Sequence, residues 1–256
     1  MSRRRGRSRP TSDHDVVYGR RPVFELLKAG RRHVSRVIVH DSHEPRPELE
    51  SVLTMARKAH ASIEEGDRRR LDALTNGANH QGIAAESGVY PYCTLEDRPA
   101  NSHALWLLLD HIQDPQNLGS LLRSADTAGV TGVVIPQARA VGVTAAVVRA
   151  SAGASEHVRV YRASNISKAM RTLQDDGIVF YGLDANEAAQ SYTSVNFTVP
   201  AGLVVGSEGD GLSRLVRETC DGIVRLPLGG KVQSLNAAVA GAVALFEVVR
   251  QRDAEV

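Results

Sequence analysis

Three short polar segments in the second half of the chain carry the residues best suited to chemistry. The first begins Asp114-Pro115-Gln116-Asn117-Leu118-Gly119 and reaches Arg123 and Ala125. The second is Gly206-Ser207-Glu208-Gly209-Asp210-Gly211, and the third runs from Leu226-Pro227 through Gly229-Gly230 to Ser234-Leu235-Asn236. Arg123 offers a planar guanidinium that can hold a phosphate bidentately. The glycines let a ligand approach the backbone closely. Ser234 and Asn236 are polar residues opening a helix that carries almost no charge until Glu247, so the helix reads as buried nearly all round and its start reads as part of a site. Each segment alone also has a plainer meaning: a solvated helix face, a helix cap for Glu208 or Ser234, a tight loop. None of them has the G-x-G-x-x-G or Walker spacing. No His/Cys/Asp/Glu cluster has ligand spacing, so no metal is expected.

Alternating elements must position these segments. Continuous apolar runs at Ala104–Leu109 and Leu203–Val205 read as buried parallel strands, and Gly132–Ile135, Val158–Val160, Ile178–Gly182 and Ile223–Leu226 as their neighbours. Helices are expected over Asp114–Gly129, Thr144–Ala152, Asn165–Asp176 and Leu212–Cys220 and from Leu235 onward. Repeated β-α-β units give an α/β fold with a mostly parallel sheet, and ligands of such sheets lie outside the carboxyl ends of the strands. All three segments fall there. At roughly 100° per residue, Asn117, Ser120, Arg123 and Ser124 share the polar arc of the first helix, opposite Leu118, Leu121, Leu122 and Ala125.

Residues 16–88 read as a smaller α/β unit. It has helices over Gly19–Gly30 and Glu48–His60 and strands at Val37–Val39 and Gln81–Ala85, and residues 89–102, with Pro91 and Pro99, link it to the rest. Before it, Arg3, Arg4, Arg5, Arg7 and Arg9 crowd residues 1–15, a solvated tail that either attracts phosphate or is merely disordered. The formal net charge of +2 does not decide between these. Cys93 and Cys220 are the only cysteines, which fits a reducing cytoplasm and argues against a disulfide framework. The run Leu235–Val249 is too short for a membrane span.

Taken in order, Asp-Pro-x-Asn-Leu-Gly-x-x-x-Arg-x-Ala, Gly-Ser-Glu-Gly-x-Gly, and Leu-Pro-x-x-Gly followed by Ser-Leu-Asn resemble the three motifs of the SpoU (TrmH-type) RNA ribose methyltransferases of the SPOUT superfamily. The resemblance covers Leu105–Arg252. Val17-Tyr18-Gly19 and His80-Gln81-Gly82 resemble the substrate-binding domain of the bacterial 23S ribosomal RNA guanosine 2′-O-methyltransferase branch. The resemblance implies a trefoil-knotted, Rossmann-like SPOUT domain over residues 103–256, preceded by an L30e-like RNA-binding domain. It implies S-adenosylmethionine as cofactor, held near Leu183, Val205, Gly206, Leu226 and Leu235. Catalytic and substrate-orienting roles fall on Asn117, Arg123, Glu208, Ser234 and Asn236, with Glu208 ordering Arg123 or a loop. It also implies a homodimer formed through the knotted domain. Leu228 stands where the family commonly has Met, a volume-conserving change, and Lys231 lies in a loop that could meet RNA phosphate. A tRNA ribose methyltransferase or an antibiotic-resistance ribosomal RNA methyltransferase would share the motifs. A non-catalytic RNA-binding module would not need Ser234, Asn236 or the bare glycine loops.

Overall fold

The computed structural model describes residues 14–41, 46–100, 103–186, 188–232 and 234–254. The arginines between Arg3 and Arg9 lie outside the described residues. The chain builds two sheets. The first contains β1 (His14–Tyr18), β2 (Val34–His40), β3 (Ser62–Gly66) and β4 (Ile83–Gly88) in the order β1-β4-β2-β3, interleaved with α1 (Arg20–Ala29), α2 (Pro47–Lys58) and α3 (Arg68–Thr75). β4 runs antiparallel to both its neighbours, and β2 and β3 are parallel. The strands β1 and β3 and the helix α3 were not anticipated from sequence. β3 is an edge strand whose residues are exposed or half-buried, and α3 buries only Leu71 and Thr75. Neither therefore carries an apolar period.

The second sheet follows the expected alternation. Its elements are β5 (Leu105–Asp110), α4 (Pro115–Thr127), β6 (Gly132–Pro136), α5 (Ala145–Ala150), β7 (Val160–Ala163), α6 (Ile166–Gln174), β8 (Val179–Leu183), β9 (Gln190–Ser191), β10 (Ala201–Gly206), α7 (Arg214–Thr219), β11 (Gly222–Arg225) and α8 (Ala237–Asp253). The order β7-β6-β5-β10-β8-β11-β9 is parallel throughout. β7 begins at Val160, two residues later than expected. β5 and β10 lie side by side at the centre with all their residues buried, as continuous apolar runs require. Their register sets Asp110 opposite Gly206. The carboxyl ends of β5, β10, β8 and β11 therefore converge, and a site at that edge follows from strand order alone.

The two units are locked together. Glu156, in a 3-10 turn after α5, receives Nε of Arg32 at 3.1 Å and Nη2 of the same guanidinium. Arg31 donates to the carbonyls of Val158 at 2.8 Å and Pro91 at 3.1 Å. The Tyr90 hydroxyl donates to the Ser155 carbonyl at 2.7 Å, and burial pushes its phenol upward, keeping it a neutral donor. Residues 89–102 are thus no loose tether where described: Cys93 bridges to Tyr161, and Arg98 pairs with Asp176.

α8 departs from the expectation of all-round burial. Ala238, Ala244, Leu245 and Val248 are buried, but Val239, Val243 and Phe246 are 48%, 40% and 48% exposed. These three share one helix face, at spacings of four and three residues. Among the described residues, no helix is long and apolar enough to cross a membrane.

Candidate active site

The cleft at the converging strand ends has a volume of about 600 Å³, within the range of sites that hold small cofactors. Leu183, Val205, Gly206, Leu226 and Leu235, the residues expected to hold the cofactor, all line it. Glu208, Ser234 and Asn236 line it too. Gly206 is fixed by sterics rather than by φ. A Cβ placed on it would lie 2.1 Å from the backbone carbon of Gly211, because Ser207 and Gly211 exchange backbone hydrogen bonds at 3.0 and 3.1 Å. Any side chain there would force the turn away from the cleft.

Three motif residues meet by hydrogen bonding. Asn117, buried at the start of α4, donates through Nδ2 to Oε1 of Glu208. Its Oδ1 accepts from Nδ2 of Asn236 at 2.9 Å. Asn236 also caps α8, accepting from the amides of Ala238 at 2.9 Å and Val239 at 3.2 Å. Helix cap and site residue are thus one side chain, and Ser234 is not the cap. Glu208 caps no helix either. The amide of Ser213, ahead of α7, donates instead to Oδ2 of Asp110 at 2.7 Å. Asn236→Ala removes the cap and leaves buried Asn117 short of a donor. A loss of about 1–2 kcal/mol follows. Thermal melting should show a fall of several degrees, together with reduced methyl transfer.

Arg123 does not join this group. It is exposed on α4 and lines a separate cavity with Arg21, Glu25 and His157. It lies six residues along α4 from Asn117, about 9 Å at the helical rise. Its shared arc with Asn117 on the helical wheel is real, but one chain buries Asn117 and exposes Ser120 and Arg123. Within one chain, Glu208 therefore meets Asn117 and not Arg123. The sequence reading also missed an ion pair on the cleft wall. Arg217 on α7 binds Asp184, the residue after β8. Only the strand-end rule pointed toward Asp184. Burial pushes the Cys220 thiol, which follows α7, up to about 12, so at neutral pH it offers no thiolate nucleophile.

Residues 104–246 match the SpoU rRNA Methylase family, and residues 16–93 match the family described as RNA 2′-O ribose methyltransferase substrate binding. The chain belongs to the SpoU methylase family. Like its family, it is an S-adenosylmethionine-dependent RNA 2′-O-methyltransferase. It is 42% identical over 252 residues to an uncharacterized tRNA/rRNA methyltransferase of Mycolicibacterium gilvum, covering 96% of this chain and 80% of that one. It is 37% identical over 244 residues to the 23S rRNA (guanosine-2′-O-)-methyltransferase of Vibrio parahaemolyticus, covering 93% of this chain and 98% of that one. The SpoU methyltransferase AviRb of Streptomyces viridochromogenes, solved in complex with the cofactor AdoMet, superposes with a TM-score of 0.79 at 27% identity over 94% of this chain and 92% of its own. A solved structure concerned with 2-OH methylation of C/U34 on tRNA superposes at 0.54 with 26% identity, covering 59% of this chain and 98% of its own.

The cleft suits the family's cofactor on its own geometry. Apolar Leu183, Val205, Leu226 and Leu235 can flank a flat base, and the exposed carboxylate of Glu208 can face a positively charged sulfonium or ammonium. The bare backbone at Gly206 leaves room for close contact.

Proposed function

We infer that this SpoU methylase methylates the ribose 2′-hydroxyl of a guanosine in 23S ribosomal RNA, in the cytoplasm and as a homodimer. The observation that carries the ribosomal reading is the first unit. The likeness to the 23S enzyme of Vibrio parahaemolyticus extends over it, whereas the tRNA-related structure, nearly all of it used, covers only 59% of this chain. S-adenosylmethionine supplies an electrophilic methyl when bound. The protein's part is to hold the acceptor ribose in line with it, and positioning of this kind can supply much of the rate. Asn117, Ser234 and Asn236 orient the ribose and the loops, and Glu208 holds Asn117. Arg123 binds an RNA phosphate and stabilises negative charge growing on the 2′-oxygen. A guanidinium resists deprotonation, so its role is not that of a base.

A dimer accounts for two features that one chain leaves open. The exposed face of Val239, Val243 and Phe246 needs a cover, and exposed Arg123 lies outside the cleft of its own chain. A second copy packed on the α4–α8 side supplies the cover, and Arg123 then serves the neighbouring cleft. The deciding experiment maps ribose methylation in ribosomal RNA and tRNA from cells with and without the gene. One guanosine of 23S RNA should lose its methyl group in the deletion strain. Loss of a tRNA methyl with ribosomal RNA unchanged would replace this reading with the tRNA one.

A further inference from the structure

We propose that a cavity at the junction of the two units binds the phosphodiester backbone of an RNA strand, with Arg149 as its central cation. This rests on the RNA reading above and assigns a contact made by neither the methyl-transfer cleft nor Arg123. The cavity has a volume of about 740 Å³ and is walled by Arg20, Arg21 and Phe24 of α1, Glu48 of α2, Gln81, and Arg149 of α5. Arg149 belongs to the second unit, so the site exists only when the units are docked.

The described residues balance the charges in this cavity only in part. Half-buried Arg149 has no hydrogen-bonding or ion-pair partner among the described residues. Arg20 leaves its buried Nε without a partner, and its carboxylate partner among the described residues, Glu48, is 3.6 Å away with a side chain 74% exposed. Such an exposed pair neutralises little. Arg21 is held by Glu25 at 2.5 Å and lies 5.6 Å from the ring centroid of Phe24. Guanidiniums match phosphate oxygens bidentately, and a half-buried phenyl beside them gives a base a surface to stack on. Together they fit a nucleic-acid strand better than a free phosphate.

The two motifs of the first unit shape this cavity. Oε1 of Gln81 accepts from the amide of Arg20 at 3.1 Å, anchoring the start of α1. Gly19 has φ +93°, and a Cβ there would lie 3.2 Å from Nη1 of Arg149 and 3.4 Å from Oε1 of Gln81. The missing side chain is what lets the guanidinium reach the motif. Arg21 also lines the cavity that contains Arg123, so the two cavities adjoin at α1.

The test uses the full-length protein and transcribed 23S ribosomal RNA, with affinity measured over a salt series for wild type, Arg149→Gln and Arg149→Lys. Arg149→Gln should weaken RNA binding and flatten the slope of log affinity against log salt by about 0.7 for one lost single-strand phosphate contact. Arg149→Lys should recover most of that slope, and affinity for S-adenosylmethionine should not change in either variant. A wild-type slope and affinity in Arg149→Gln would overturn the site. So would an Arg149→Lys protein as impaired as Arg149→Gln, since the side chain would then act by packing. If wild type neither bound nor methylated this RNA, the ribosomal reading itself would be wrong and this site would fall with it.

Discussion

Arg123→Ala should lower methyl transfer by a factor on the order of 10²–10³, the cost of removing one preorganised charge from a developing oxyanion. Melting temperature and affinity for S-adenosylmethionine should stay near wild type. The physical reason is placement: Arg123 is exposed, lines no part of the cleft, and sits at a helix position where Ala is at least as favourable. A tritiated-methyl assay alongside calorimetry would separate these outcomes, and near-normal turnover would remove Arg123 from the mechanism. Co-expression with Asn236→Ala then asks which cleft the arginine serves. If Arg123 acts on the neighbouring copy, each mixed dimer contains one cleft with an intact Asn236 and an intact arginine facing it. Roughly a quarter of wild-type activity should return when half the dimers are mixed. If the arginine serves its own chain, no mixed dimer has a complete site and activity stays at the level that the two single variants show separately.

The contrast between Asn117 and Arg123 shows what the sequence could and could not convey. Both lie on the arc opposite Leu118, Leu121 and Leu122, and periodicity alone treats them alike. What divides them is non-local: β10 delivers Glu208 and the start of α8 delivers Asn236 onto Asn117, whereas no side chain among the described residues bonds to the Arg123 guanidinium. The cleft itself was legible, since the apolar runs of β5 and β10 fix a parallel sheet and the glycine-bearing segments sit at its carboxyl edge. The second role of Asn236, as helix cap, cannot be separated from a site role without Asn117 in view. In the first unit, polar β3 and α3 escaped because an edge strand and a mostly exposed helix need few apolar residues. Least legible was the junction between the units, because Arg32 and Glu156 are 124 residues apart and each alone reads as a surface charge.

Glu156→Ala should be among the most destabilising single substitutions outside the apolar core. The carboxylate is 1% exposed and faces an Arg32 side chain 3% exposed, bonded to it through both oxygens. Removing Glu156 leaves the buried guanidinium with only Asp15 and the Gly88 carbonyl, and a loss of about 3 kcal/mol, the low end for breaking a buried pair, follows. For a chain of this size that corresponds to a fall in melting temperature on the order of 10 °C. Asp15 also binds Arg32, at 2.9 Å, but it is 41% exposed, so Asp15→Ala should cost no more than about 1 kcal/mol. The ratio between the two variants is the informative quantity, because both take a carboxylate from the same guanidinium and differ in burial. The functional consequence follows from where the pair sits. Glu156 is near Arg149 in the chain, and Arg32 follows α1, so loosening the pair frees the RNA-binding unit from the unit that holds the cleft. RNA affinity and methyl transfer should both fall in Glu156→Ala at temperatures below its melting point. Affinity for S-adenosylmethionine should persist, since no cleft residue touches the pair. Equal melting temperatures for Glu156→Ala and wild type would mean that the buried pair does not hold the units together. Loss of cofactor binding ahead of unfolding would mean that the two units do not behave as separable bodies.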